Sequence, residues 1–191
     1  WFPELPEAER ITIRLLLQER SGLETYTEAD FSTLGLLIRP RRQWDKEELL
    51  ERILKGGAGP GRGADPGGDA GPSGGPDPRD GQMNNSDYVL LGLIAERVTG
   101  ESFSNLLERY ITGPLRLEQT YLAGRGDSSR LLTGYDYDLL PFGNHRIEAA
   151  ESALGSWAFS AGGIVGTAGE MVRFFSALRD GRLLSRETVE G

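Results

Sequence analysis

The sequence predicts a mostly helical protein with a few short strands. Five segments carry apolar residues at helical spacing, and four of them open on an N-cap signal, whereas only three stretches read as strands, all short. The length, 191 residues and 20.9 kDa, suits one ordinary domain or a piece of a larger one.

The elements follow in chain order. Thr12 is placed to cap a helix over residues 13–19, with Ile11 and Leu16 as a hydrophobic staple and Ser21-Gly22 as the stop. Asp45 and Glu48 form a capping-box pattern ahead of Leu49, Leu50, Ile53 and Leu54. The next helix should put Tyr88, Leu91, Ile94, Ala95 and Val98 on one face and end at Gly100; Gly92 inside it marks close approach of another backbone, since Gly there costs about 0.5–1 kcal/mol relative to Ala. Behind Ser102, Phe103, Leu106, Leu107, Tyr110 and Ile111 keep the i, i+3, i+4, i+7, i+8 pattern up to a stop at Gly113-Pro114. Thr167 and Glu170 spell a further capping box, leading to Met171, Phe174, Phe175 and Leu178. The strand candidates are residues 133–138, 147–150 and 161–165.

Residues 56–81 stand apart. They hold 11 of the 27 glycines and 5 of the 10 prolines, and three alanines are their only apolar side chains, so nothing there offsets an ordering entropy of about 1–2 kcal/mol per residue. The run divides the chain into a helical segment (1–55), a disordered Gly/Pro-rich insert (56–81) and a second helical part (82–191). Inside it Gly71-Pro72-Ser73-Gly74-Gly75 spells a nucleophile elbow and Gly59 to Ala64 a dinucleotide fingerprint. Both motifs work only on a strand-turn-helix. Neither has an apolar strand beside it, so both read as accidents of composition.

Composition excludes several functions. The formal charge is 21 − 29 = −8, which argues against binding a nucleic-acid backbone. No cysteine is present, which removes a thiol nucleophile, a disulfide framework and thiolate-bound zinc. No apolar run reaches the roughly 18 residues of a membrane span. His145 is the only histidine and sits in a polar stretch with no second ligand beside it, so no metal or other cofactor is expected. Arg125-Gly126-Asp127 reads as a solvent-facing turn, and Glu47, Glu48 and Glu51 as a solvated helix face.

Five blocks in order carry a family resemblance. Ile11-Thr12-Ile13-Arg14 with Ser21-Gly22-Leu23, then Asn85 through Ile94 with Glu96 through Gly100, then Thr112 through Leu115 with Thr120, then Thr133-Gly134-Tyr135, and finally Ser160 through Val165 resemble the serine β-lactamase and DD-peptidase family, which includes class C β-lactamases, DD-carboxypeptidases and related esterases. The resemblance implies an α/β fold of the β-lactamase/transpeptidase type, in which this sequence supplies helices and little of the central sheet. It also implies acyl transfer by an activated serine, with a Ser-x-x-Lys helix, a Tyr-x-Asn loop and a late Lys-Thr-Gly or His-x-Gly strand motif.

Each motif can be checked. Only Lys46 and Lys55 are lysines, and Gln43 and Arg52 lie three residues before them, so no Ser-x-x-Lys exists in this sequence. The Tyr-x-Asn position reads Met83-Asn84-Asn85. Asn85 is therefore the candidate catalytic residue, its amide suited to a lysine and a substrate carbonyl, although Asn at a helix start also serves as an N-cap. Met83, in the tyrosine place, exchanges no proton and reads as a gap filler at a loop edge. Glu19-Arg20 stands where the family has His-Thr.

The expectation is an internal piece of a serine hydrolase acting on a β-lactam, a D-Ala-D-Ala peptide or an ester. It opens at Trp1 without a signal-like region and stops at Gly191 just after a helix-start pattern at 185–188. The expected partner is a small-molecule or peptidoglycan-like substrate, with no nucleic acid and no membrane span, in an extracytoplasmic setting implied by the family. Acyl transfer is not expected from these residues alone. The alternative is a non-catalytic homologue or degenerate segment serving as a binding or structural module.

Overall fold

A computed structural model describes residues 1–27, 43–57, 83–123, 131–132, 134–136, 145–147, 156–185 and 187–188. The Gly/Pro-rich run beyond Gly57, Arg125-Gly126-Asp127 and Thr133 lie outside them.

Helix α1 is Ile13–Leu17, and the Thr12 hydroxyl accepts the Leu15 amide at 3.2 Å as expected. It is shorter than the periodicity suggests. Glu19 takes a left-handed conformation (φ 58°), which ends the helix before the Ser21-Gly22 pair. Helix α2, Lys46–Gly56, opens on the full capping box: Asp45 accepts the Glu48 amide at 2.7 Å and Glu48 accepts the Asp45 amide at 3.1 Å. Leu49 and Ile53 are fully buried, with Leu50 and Leu54 at their margin.

Helix α3, Asn85–Thr99, ends at left-handed Gly100. Its buried face is Val89, Leu90 and Leu93 with Ser86, Asp87 and Gly92, not the Tyr88–Leu91–Val98 face expected from spacing; Tyr88 and Val98 are exposed. The helix is apolar on both sides, so periodicity alone could not choose. The polar residues of its first turn chose instead, because their partners fix which side turns inward.

After Ser102, α4 spans Phe103–Leu107, a π-helical turn spans Glu108–Thr112, and α5 spans Gly113–Leu115. Gly113-Pro114 therefore does not stop the helix. Proline has no amide hydrogen, and the wider turn absorbs it: Gly113 N–H reaches back to the Glu108 carbonyl, and the chain leaves the helix only at left-handed Arg116.

Strands are short. β1 (Tyr121–Leu122) pairs antiparallel with β4 (Ile164–Val165), and β2 (Gly134–Asp136) with β3 (His145–Ile147), Asp136 opposite His145. His145, whose polar surroundings read as a loop in the sequence, is thus on a strand, and β1 has no counterpart among the sequence-based candidates. Helix α6, Ala168–Arg179, starts on Thr167.

The core gathers Phe2, Leu5, Leu16, Leu23, Tyr26, Leu49, Ile53, Val89, Leu90, Leu93 and Phe159 between α1, α2, α3 and the 3₁₀ turn Phe159–Ala161. Lys46 crosses from α2 to Glu96 of α3 at 2.6 Å, and Glu96 also accepts the Phe103 amide. Two hydrogen bonds close on one place: Glu24 N–H donates to the Gly57 carbonyl at 3.1 Å, and the Asn84 side chain donates through Nδ2 to the Leu23 carbonyl at 2.9 Å.

Candidate active site

The head of α3 carries four consecutive polar side chains, Asn84 to Asp87, and each binds the segment 21–27. Asn84 is the N-cap: its Oδ1 accepts the Ser86 amide at 3.0 Å while its Nδ2 holds the Leu23 carbonyl. Ser86 Oγ donates to the Glu24 carbonyl at 2.7 Å and accepts the Tyr26 amide at 2.9 Å. Asp87, fully buried, accepts the Ser21 amide at 3.2 Å and the Ser21 hydroxyl. Burial satisfied by paired donors explains how such a polar tetrad opens a core helix.

Asn85 stands apart from its neighbours. Capping is done by Asn84, so the side chain of Asn85 is not bound into the helix end; its Nδ2 donates to Thr27 Oγ1 at 3.3 Å and its backbone N–H to Thr25 Oγ1 at 3.3 Å. The two threonine hydroxyls share a hydrogen of their own at 3.1 Å and form a polar ledge beside the amide. Asn85 is half-buried and stands in the first turn of a 15-residue helix.

The rest of the neighbourhood is packed against α3. Ser160 Oγ donates to the Tyr88 carbonyl at 2.8 Å, and Gly92 lets this turn sit close: a Cβ there would lie 2.1 Å from Ser160 Oγ and 2.8 Å from the Phe159 ring. The close approach read from Gly92 is real, but side chains make it rather than backbone. The Tyr26 hydroxyl donates to the Trp157 carbonyl at 2.5 Å, and burial pushes its pKa well above the ordinary phenol range, so it stays protonated.

Two electrostatic features were not legible in the sequence. Burial raises the Asp87 carboxyl to about 7, with Glu19 adding to the rise and the two Ser21 bonds opposing it. Glu19, in the place of the family's histidine, accepts the Asn84 amide at 3.3 Å. Met83 is 75 % exposed and fills no gap. Both lysines are committed to carboxylates, Lys46 to Glu96 and Lys55 to Glu51 at 2.7 Å. Cavities of about 480 and 540 Å³ lie elsewhere, the first beside Leu107, Arg116 and Thr120, the second beside Phe2, Leu16 and Leu90; Asn85 lines neither. Among the described residues no group of His, Asp or Glu could hold a metal, and no helix is long and apolar enough to cross a membrane.

The family model described as Beta-lactamase matches residues 73–191, well over half of the chain. The chain belongs to the beta-lactamase family. Among solved structures this beta-lactamase-family chain is similar to the D-amino acid amidase of Ochrobactrum anthropi SV3 complexed with L-phenylalanine amide, at 26% identity and a TM-score of 0.74, over 98% of this chain and 48% of the amidase. It shares its fold with a D-stereospecific amidohydrolase from Streptomyces sp., at 23% identity and a TM-score of 0.73, over 95% of this chain and 50% of that one. A penicillin binding protein from Bacillus halodurans shares it too, at 20% identity and a TM-score of 0.63, over 96% and 54%. The chain therefore spans about half the length of these proteins. The β-lactamase/transpeptidase-like fold expected from the five sequence blocks is the fold observed, with its visible part mostly helical and its strands few and short.

Proposed function

We propose that this chain forms one wall of an acyl-serine hydrolase cleft, with Asn85 as the amide that meets the substrate. A serine supplied by other residues would attack the carbonyl of a β-lactam, a D-configured peptide or amide, or an ester. Asn85 Nδ2 would donate to the substrate carbonyl and its Oδ1 would accept from the lysine that serves as base. The carrying observation is that Asn84 caps α3, which leaves the Asn85 amide half-buried beside the Thr25–Thr27 ledge. The family match and the likeness to a D-amino acid amidase support the reaction class. With no Ser-x-x-Lys in the sequence, these 191 residues alone should form no acyl-enzyme. An extracytoplasmic setting fits substrates of this class.

A fluorescent penicillin tests the second point: no covalent labelling of the chain is expected, and labelling would overturn it. For Asn85, the test is Asn85→Ala in a polypeptide that also carries a Ser-x-x-Lys motif. Acylation should fall about 10²- to 10³-fold at unchanged stability, the usual cost of losing a preorganised donor; an unchanged rate would end the assignment.

Met83 favours a second reading, a non-catalytic relative that keeps the fold for binding. A thioether cannot take the proton that the family's phenol takes. Met83→Tyr in the same polypeptide separates the two: a large gain in nitrocefin or ester hydrolysis identifies an impaired base in working machinery, and continued inactivity favours the non-catalytic relative.

A further inference from the structure

We propose that Ser21 and Asp87 are positioning residues that set where the Asn85 amide points. The inference rests on the reading of Asn85 as the cleft amide. Ser21 and Asp87 lie 66 residues apart, and both the Ser21 amide and its hydroxyl donate to the buried carboxylate. From that anchor the contacts run outward in order. Ser21 Oγ accepts the Leu23 amide at 3.1 Å, the Leu23 carbonyl takes Asn84 Nδ2, and the segment then delivers Thr25 to the Asn85 backbone and Thr27 to the Asn85 side chain. The two threonine hydroxyls that meet Asn85 are therefore carried by the stretch that Asp87 clamps at its start.

This arrangement differs from ordinary helix docking. Apolar packing of Val89, Leu90 and Leu93 fixes how deep α3 sits, but it does not aim a polar group one turn earlier. A carboxylate receiving two hydrogen bonds from one residue fixes both distance and direction, and charge makes each bond stronger than a neutral one. The clamp is also poised to respond to protonation, because a neutral Asp87 would bring a hydroxyl donor to face the donors of Ser21. The charged group acting on Asp87 is Glu19, from the same loop as Ser21. Of the elements packed on α3, the 159–161 turn and α4 bring no ionisable side chain, α1 brings only Arg14, which is exposed, and α2 brings Lys46 only to Glu96, nine residues farther along.

The side-chain amide resonance of Asn85 in ¹H–¹⁵N spectra of the chain itself provides the test, assigned by its loss in Asn85→Ser. In Ser21→Ala and in Asp87→Asn the pair should move toward free-amide shifts and exchange with water about tenfold faster. Glu170→Gln, remote from this cluster, should leave it in place. In the wild-type chain the pair should track pH with the same midpoint as the Asp87 carboxyl carbon. A pair indifferent to both substitutions in folded protein, or displaced equally by Glu170→Gln, overturns the proposal. If either variant fails to fold, the wild-type titration decides: an Asn85 pair that stays flat while Asp87 titrates is fatal. These spectra need no catalysis, so a failed clamp is distinguishable from a failed Asn85 assignment, which only the acylation rate of Asn85→Ala can sink.

Discussion

Asn84 and Asn85 are adjacent, yet only Asn84 Oδ1 closes the helix end, on the Ser86 amide at 3.0 Å, while Asn85 Nδ2 reaches across 3.3 Å to Thr27. Replacing the two should therefore have unequal effects. Asn84→Ala removes a cap and exposes no new partner for the buried Leu23 carbonyl, a loss of about 1–3 kcal/mol. Asn85→Ala removes one long hydrogen bond and should cost under about 1 kcal/mol. Urea denaturation of both variants checks the difference, and equal losses would mean that the division between the two amides is wrong.

Asp87 should contribute a stability that falls as pH rises through the acid range. Its carboxyl is raised from 3.8 to about 7 in the folded protein, so the native state keeps this proton where the unfolded chain has released it. With more protons bound to the folded form, its contribution is full below about pH 4, declines to about pH 7 and is then flat. In Asp87→Asn this slope disappears. The variant should gain on the wild type between about pH 4 and about pH 7, at about 1.4 kcal/mol per unit, and a constant difference across that range would contradict the raised value.

Glu170 joins α6 to the turn before β1. Its carboxylate is 1 % exposed and accepts the Gln119 amide at 3.1 Å on both oxygens, the Thr120 hydroxyl at 2.5 Å and Arg173 at 3.0 Å. Glu170→Gln turns one acceptor into a donor facing the Gln119 amide. Loss of charged hydrogen bonds predicts about 1.5–3 kcal/mol of destabilisation and faster hydrogen exchange at Gln119. A variant as stable as the wild type would show that the helix docks without this carboxylate.

Gly92→Ala sets two known effects against each other. Helix propensity favours alanine by about 0.5–1 kcal/mol, whereas forcing a methyl group into a filled space costs about 1–3 kcal/mol. With Ser160 Oγ at 2.1 Å and Ser160 Cβ at 2.6 Å from the added atom, overpacking should win and the melting temperature should drop. Ser160→Gly in the same background should recover part of the loss. A stabilised Gly92→Ala would mean that the 159–161 turn is not seated on this glycine.

Helix caps were the most readable part of the fold. Thr12, Asp45, Ser102 and Thr167 each cap the helix expected of them, because that interaction is local and needs only the residue and its next turn. Faces and stops were harder. The α3 face depended on partners some 60 residues away, and the passage through Pro114 depended on a π turn that no short pattern announces. The Thr167–Glu170 pattern was half right: Thr167 accepts the Glu170 amide, but the carboxylate turns away to Gln119 and Thr120, a choice made by tertiary contacts. At the site, Asn84 as the cap and the Ser21–Asp87 pair were hidden from the sequence. The one available signal was an Asn-Asn-Ser-Asp run heading an otherwise apolar helix, which demands buried partners without naming them.

Gly57 and Asn84 both dock on Leu23-Glu24, so the polypeptide departs from and returns to a single doorstep. Whatever length intervenes, the two posts of that doorway are fastened by the remainder of the molecule, and doubling the span between them adds only about 0.6 kcal/mol of closure entropy. Insertions and deletions can accumulate there at little thermodynamic expense to the neighbouring amide, which makes the stretch a natural place for relatives to diverge in size.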